Sequence, residues 1–132
     1  MIDQEGETGV KITTFNPMIV TPQADEVVKL FEALGFERRH HKISEALEGT
    51  SDYRMKDPNG FHVDVAQSTV PRDMSMIRMN VDNFEEACTL LEARGLKPYS
   101  GNMYDGKTSK DMLFVAPSGL LICLCQHKRG HD

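Results

Sequence analysis

His62 and Asp64 are the residues of this sequence whose types and spacing are best suited to chemistry. They stand two positions apart in residues 61–66, a stretch that predicts a β-strand, so their side chains share one face of a sheet. An imidazole beside a carboxylate can act as a general base with its orienting group, or supply two metal ligands. A solvated or hydrogen-bonded polar pair is the alternative, and the spacing alone does not decide between them.

Cys123 and Cys125 form a second pair with the same spacing, on a strand predicted over residues 120–125. Two thiols on one face could be a nucleophile or a thiolate site. Their neighbours Leu121, Ile122 and Leu124 are apolar, however, and an apolar environment favours buried, inert thiols. We therefore expect these cysteines to belong to the interior of the protein.

The composition excludes several classes of protein. The chain has 132 residues, enough for one domain, with a net charge of −5 and one short basic cluster at residues 38–42. Nucleic-acid binders carry a longer basic stripe, and a membrane span needs roughly 18 consecutive apolar residues. The first seven residues are acidic, unlike a secretory signal, and three cysteines without a Cys-x-x-Cys motif favour a reducing compartment. We expect a cytoplasmic protein with neither a nucleic-acid nor a membrane partner.

The elements that position these residues are written twice. LFEALGF at residues 30–36 returns as LLEARGL at 90–96, and DPNG at 57–60 returns as APSG at 116–119. Each copy predicts strand-helix-strand-strand-strand, which makes the chain an α+β domain of two modules. Module one covers about residues 12–67 and module two about 74–126, with a linker at 68–73 and a polar tail at 127–132. The cleft between two such modules is a natural place for a ligand.

Local signals predict where the helices and turns lie. The first strand is predicted over residues 15–20, followed by a helix that Thr21 caps and Gly35 ends. Asp82 is predicted to cap the second helix, with Glu85 completing an acidic capping box. DPNG is a hairpin turn in which Gly60 supplies a positive φ, and residues 101–107 are predicted to be a loop.

The order and spacing of these motifs resemble the vicinal oxygen chelate superfamily, which includes glyoxalase I, extradiol dioxygenases and bleomycin-resistance proteins. The resemblance rests on FEALGF at 31–36, DPNGFHVD at 57–64, VDNFEEA at 81–87 and LLEARG at 90–95, and it covers about residues 14–126. It implies two βαβββ modules whose strands curl into one incomplete-barrel mixed sheet around a cavity. It also implies a homodimer.

The resemblance assigns the superfamily's metal-ligand positions to particular residues of this chain. The position four residues after each turn glycine is Asp64 in module one and Cys123 in module two. The first-strand positions fall on Asn16 and Met76. Hard divalent cations prefer oxygen and imidazole ligands, and this set contains a thioether and a thiol. The resemblance therefore predicts a protein without the usual metal site.

Arg78 lies two residues beyond Met76, so the resemblance places it on the cavity as well. Its planar guanidinium would bind a carboxylate or a phosphate of a ligand in a bidentate manner. The alternative is an ion pair with a neighbouring acidic residue, Asp64 among them. The ligand-binding residues expected from these arguments are Asn16, Met18, His62, Asp64, Met76, Arg78 and Cys123.

Three functions are compatible with this reading. The first is a binding protein akin to the bleomycin-resistance branch, which holds a small organic ligand in the inter-module cavity and needs no cofactor. The second is a metal-dependent lyase, isomerase or dioxygenase with an atypical divalent-metal site built on His62 and Asp64. The third is a non-catalytic interaction module. The fold alone does not choose among them.

Overall fold

The computed structural model describes residues 9–43, 51–99, 104–105 and 109–127. These residues form two helices and nine strands. The helices are α1 (Ala24–Ala33) and α2 (Phe84–Ala93). The strands are β1 (Ile12–Thr21), β2 (Glu37–Ile43), β3 (Ser51–Lys56), β4 (His62–Gln67), β5 (Met74–Val81), β6 (Lys97–Pro98), β7 (Tyr104–Asp105), β8 (Ser109–Val115) and β9 (Leu121–His127). Neither helix of the described ranges is long and apolar enough to cross a lipid bilayer.

The chain separates into two compact units. We call Asn16–Met76 the central unit, and the described parts of Met1–Phe15 and Ile77–Asp132 the terminal unit. Each unit contains one of the two copies of the sequence repeat.

The central unit is a four-stranded mixed sheet with α1 on one face. Its strand order is β2-β3-β4-β1, in which β3 is antiparallel to both of its neighbours and β4 is parallel to β1. Side chains alternate across a strand, so Val63 and Val65 pack against Val28 of α1, and His62 and Asp64 point to the opposite face. The alternation that predicted this strand is confirmed.

The terminal unit repeats this arrangement around α2. Its strand order is β5-β9-β8-β6, with β5 parallel to β9 and β8 antiparallel to β9. The core beneath α2 consists of Val81, Phe84, Ala87, Leu96, Phe114, Ile122 and Leu124. β7 also pairs with β8, within a stretch that was predicted to be a loop. Two residues are too few to show a strand pattern in the sequence.

The N-terminus of α1 differs from the prediction. The helix begins at Ala24, and its N-cap is Gln23, whose side chain makes no capping hydrogen bond. Thr21 instead accepts a hydrogen bond from the backbone N–H of Gln23. The cap comes from Gln67 at the end of β4: its Oε1 accepts from Ala24 N at 2.8 Å, and its Nε2 donates to Pro22 O at 2.7 Å.

The N-terminus of α2 differs in the same way. Asp82 does not cap the helix, because its carboxylate accepts a hydrogen bond from the backbone N–H of Lys11 at 2.7 Å. Asn83 is the N-cap, and its side chain accepts a backbone hydrogen bond from the first turn. Gln126 at the end of β9 completes the cap: its Oε1 accepts from Phe84 N at 2.7 Å, and its Nε2 donates to Asp82 O at 3.0 Å. The two glutamines are equivalent residues of the repeat.

The glycines predicted to end the helices and the first hairpin adopt the expected conformation. The φ angles of Gly35, Gly60 and Gly95 are +104°, +93° and +95°, a region that side chains disfavour. The helical spacing of apolar residues 24, 27, 28, 31 and 34 predicts that Leu34 belongs to the buried stripe of α1, but Leu34 is 64% exposed. It is the C-cap residue and lies beyond the last full turn of the helix, which explains why the helical spacing misplaced it.

Candidate functional site

The polar residues predicted from the central module gather on one surface, the face of the central sheet opposite α1. We call it the site face. The strand registers place Met18 and Arg54 beside Asp64, and Lys56 beside His62. The residues of the site face are Asn16 and Met18 of β1, Arg54 and Lys56 of β3, and His62 and Asp64 of β4.

Asp64 lies at the centre of the site face and is only 2% exposed. The Nδ2 of Asn16 donates a hydrogen bond to its Oδ2 at 2.9 Å. The Nη1 of Arg54 lies 3.4 Å from Oδ2 and 3.5 Å from Oδ1. Burying a carboxylate is costly unless donors compensate it, and the amide and the guanidinium are such donors. Two of the four residues that the resemblance places at metal-ligand positions are therefore hydrogen-bonded to each other.

Asn16 has a fixed orientation and an unused acceptor. Its Nδ2 donates both to Asp64 and to the carbonyl oxygen of Pro17, the latter at 2.8 Å. Two acceptors on one side hold the amide nitrogen there and direct Oδ1 the other way. Among the residues the structure describes, nothing donates to this buried Oδ1, although the whole side chain is 97% covered. Buried polar atoms are nearly always hydrogen-bonded, so this acceptor is an exception within the described residues.

His62 is partly buried on the same face, and its pKa is lowered from 6.5. Burial is the largest cause, and the positive charges of Arg54 and Lys56 follow, against an opposing effect of Asp64. The imidazole is therefore neutral at neutral pH, with one nitrogen able to donate and the other to accept. His62 and Asp64 are two residues apart on β4, so they are separated by roughly 6.6 Å along the strand. Asp64 accepts hydrogen bonds from Asn16 and Arg54.

The surroundings of His62 are basic, a feature that the sequence analysis missed. Arg54, Lys56 and Arg39 all lower the pKa of the imidazole through their charge, and Asp64 is the carboxylate that opposes them. The short basic cluster at residues 38–42 was judged only for nucleic-acid binding. The signal that would have found the basic patch is the alternation of Arg54 and Lys56, which face the same way on β3.

Three of the predicted ligand-binding residues, Met76, Arg78 and Cys123, are not part of the site face. Met76 is buried in the central unit, 5% exposed. Arg78 and Cys123 belong to the terminal unit, where they are register partners on β5 and β9. Met18 is half-buried beside Asp64.

Cys123 and Cys125 are buried, as predicted, at 8% and 1% exposure. Their sulfur atoms lie 3.8 Å apart and share a hydrogen bond. That bond, together with burial, raises the pKa of Cys125 well above its usual value. The thiol of Cys125 is therefore protonated at neutral pH, which argues against a reactive nucleophile at this position.

The superfamily's divalent metal does not fit the residues at its expected positions. The carboxylate of Asp64 is engaged by the amide of Asn16 and by the guanidinium of Arg54, whose charge would repel a cation. Met76 and Cys123 supply sulfur where hard ions prefer oxygen. Within the described ranges, no three His, Cys, Asp or Glu side chains come close enough to hold a metal ion.

Two surface depressions lie elsewhere on the central unit, around the N-terminus of α1. One has a volume of about 440 Å³ and is lined by residues 22–26 together with Tyr53 and Gln67. The other, of about 520 Å³, adjoins it and includes Arg72. Neither depression includes a residue of the site face.

Solved structures identify the fold. A glyoxalase/bleomycin resistance protein/dioxygenase superfamily member from Vibrio splendidus is 16% identical, covers 89% of this chain and 100% of its own, and has a TM-score of 0.60. A glyoxalase I variant from Zea mays is 15% identical, and the match covers 89% of this chain and 45% of that one, with a TM-score of 0.67. The Mn(II)-bound glyoxalase from Novosphingobium aromaticivorans is 18% identical, and the match covers 93% of this chain and 42% of that one, with a TM-score of 0.52. The chain thus spans less than half the length of these two glyoxalases.

No protein-family model matches the sequence, and neither does any curated protein. The structural likenesses nevertheless establish the fold: an α+β chain with a glyoxalase-like fold. The predicted fold class is confirmed.

Proposed function

We propose that this chain uses its glyoxalase-like fold to bind a small organic anion on the site face, without a divalent metal. The observation that carries the proposal is the neutral imidazole of His62 among the three cations Arg39, Arg54 and Lys56. An anion placed there would offset their mutual repulsion.

The chemistry of the face defines the class of ligand. Guanidinium and ammonium groups bind carboxylates through charge-assisted hydrogen bonds, and Arg54 is held in place by Asp64. The neutral imidazole of His62 adds one donor and one acceptor. A carboxylate that also carries a hydroxyl or an amine meets all of these requirements.

Binding without bond cleavage is the function we favour, as in the bleomycin-resistance branch. A base would need an oxygen directed at a substrate, and the oxygens of Asp64 accept from Asn16 and Arg54. The alternative is a metal-dependent lyase, isomerase or dioxygenase built on His62 and Asp64. It would require Arg54 to leave the carboxylate before a cation could approach.

The test is a binding screen on chelator-treated protein, with thermal shift followed by calorimetry. The probes are mandelate, salicylate and lactate, each paired with its neutral amide, which keeps the shape and removes the charge. We expect the acids to bind and the amides to bind far more weakly. Equal binding of acid and amide, or binding that appears only after Zn²⁺ or Mn²⁺ is added, would refute the proposal.

Charge-matched variants locate the site. Lys56→Gln removes one positive charge from the site face without touching Asp64, and Lys29→Gln removes one from the exposed surface of α1. A hydrogen bond to a charged group is worth about 1.5–3 kcal/mol, so Lys56→Gln should weaken binding by roughly 10-fold or more. Lys29→Gln should leave the affinity unchanged. Equal losses in the two variants would show that the anion responds to net charge only.

A further inference from the structure

The thiol pair of β9, Cys123 and Cys125, has the geometry of a chelating group. Two thiolates bound to one metal ion at bond lengths of about 2.3 Å lie about 3.8 Å apart at the tetrahedral angle and about 4.0 Å apart at the trigonal angle of a three-coordinate ion. The two sulfur atoms are separated by 3.8 Å. A disulfide would require a separation of about 2.05 Å, so the pair is spaced for a shared ion.

We propose that Cys123 and Cys125 together form a binding site for a soft, thiophilic cation of the Cu(I) class. Thiolate ligands select Cu(I) among the first-row metals, whereas a structural zinc site is closed by four ligands. Within the described residues, no third Cys, His, Asp or Glu joins the pair. A site with two protein ligands suits a cation of low coordination number, whose open position a small thiol would fill.

Two charged side chains lie next to the thiol pair. Arg78 is the register partner of Cys123 on β5, Asp111 is the register partner of Cys125 on β8, and the charges of both act on Cys125. The positive charge of Arg78 and the negative charge of Asp111 offset each other, so two thiolates and one monovalent cation would leave a net charge of −1.

Binding replaces two protons. In the metal-free protein the two thiols share one S–H···S hydrogen bond, which raises the pKa of Cys125. When Cu(I) enters, two S–H bonds break, two Cu–S bonds form, and two protons leave to solvent without any change in oxidation state. Cys123 keeps 8% exposure against 1% for Cys125, so the ion would enter past Cys123.

The thiol pair lies in the terminal unit and the site face in the central unit. The two proposals share no residue, so each is tested by its own variants. The chain also contains a matched control, Cys88, a partly buried thiol on α2.

The experiment is an anaerobic titration of the full chain with Cu(I) in competition with bathocuproine disulfonate. We expect one Cu(I) per chain for the wild type and for Cys88→Ser. Cys123→Ser and Cys125→Ser should each lose stoichiometric binding, with circular dichroism confirming that they fold. Copper retained by either of these variants, or lost in Cys88→Ser, would overturn the proposal.

X-ray absorption at the copper edge gives a test that needs no variant. The loaded wild-type chain should show sulfur neighbours at about 2.3 Å. A shell made of nitrogen and oxygen alone would overturn the assignment even if the serine variants failed to fold. A parallel titration with Zn²⁺ should show weaker binding, and Zn²⁺ binding at least as tight as Cu(I) would contradict the softness of the site.

Discussion

Replacing either glutamine of the helix caps should destabilise the protein, and Gln67 should matter more than its repeat partner Gln126. Gln67 makes two hydrogen bonds, at 2.8 and 2.7 Å, and Gln126 makes two, at 2.7 and 3.0 Å. A hydrogen bond contributes about 0.5–1.5 kcal/mol net, so either alanine variant loses about 1–3 kcal/mol of unfolding free energy.

The difference between the two variants comes from the residues that remain. α2 keeps the side-chain cap of Asn83, whereas the N-cap of α1, Gln23, supplies none. An N-terminal cap is worth about 1 kcal/mol, so we expect Gln67→Ala to cost about 2–3 kcal/mol and Gln126→Ala about 1–2 kcal/mol. Gln67→Glu should lie between Gln67→Ala and the wild type, because it keeps the acceptor, loses the donor and adds a favourable charge at the helix start.

The assay is urea denaturation followed by far-ultraviolet circular dichroism. The urea concentration at the unfolding midpoint should fall most for Gln67→Ala and less for Gln67→Glu and Gln126→Ala. The slope of the unfolding free energy against urea concentration should stay unchanged. A loss below about 0.5 kcal/mol for Gln67→Ala, or a larger loss for Gln126→Ala, would refute the argument that these side chains hold the helix starts.

Two further predictions concern titration and reactivity. Because the pKa of His62 is below 6.5, the unfolded chain binds its proton more readily than the folded chain, so the unfolding free energy should rise with pH up to about 6.5. Titration by NMR should give the lowered pKa, His62→Gln should flatten that rise, and a pKa above 6.5 would contradict the reasoning. Burial and the charges of Glu92 and Glu85 raise the pKa of Cys88 to about 11 from 9.0. Its alkylation by iodoacetamide at mildly alkaline pH should be about tenfold slower than that of a model thiol, and an equal rate would contradict the raised pKa.

Sequence reasoning succeeded where the determinants are local. The repeated helix and hairpin motifs predicted the strand-helix-strand-strand-strand order, and the positive φ of Gly35 and Gly95 followed from their place after a helical stripe. The alternation of residues 61–66 placed His62 and Asp64 on one face because side chains alternate on any strand.

It failed where the partner is distant in the chain. Asp82 looked like a helix cap, but Lys11, 71 residues away, takes its carboxylate. Gln67 and Gln126 were overlooked because each lies at a strand end more than 40 residues away in the chain from the helix start that it caps. Their recurrence at the same shift of 59 as the turns was the available signal.

The candidate site shows the same division. Asn16 and Asp64 were identified from the resemblance, as members of a set of metal positions, and the structure joins them by a hydrogen bond. Arg54, which completes the environment of Asp64, carries no motif. Its place follows from the register between β3 and β4, which no residue pattern specifies.

The most direct test of metal-independent anion binding is NMR shift mapping on isotopically labelled protein kept in chelator. The probe is the carboxylate with the largest thermal shift in the screen. We predict that the largest shifts fall on the site face, at Asn16, Arg54, Lys56 and His62. Shifts that cluster at residues 22–26, beside the α1 depressions, or that appear only after a divalent metal replaces the chelator, would contradict the account.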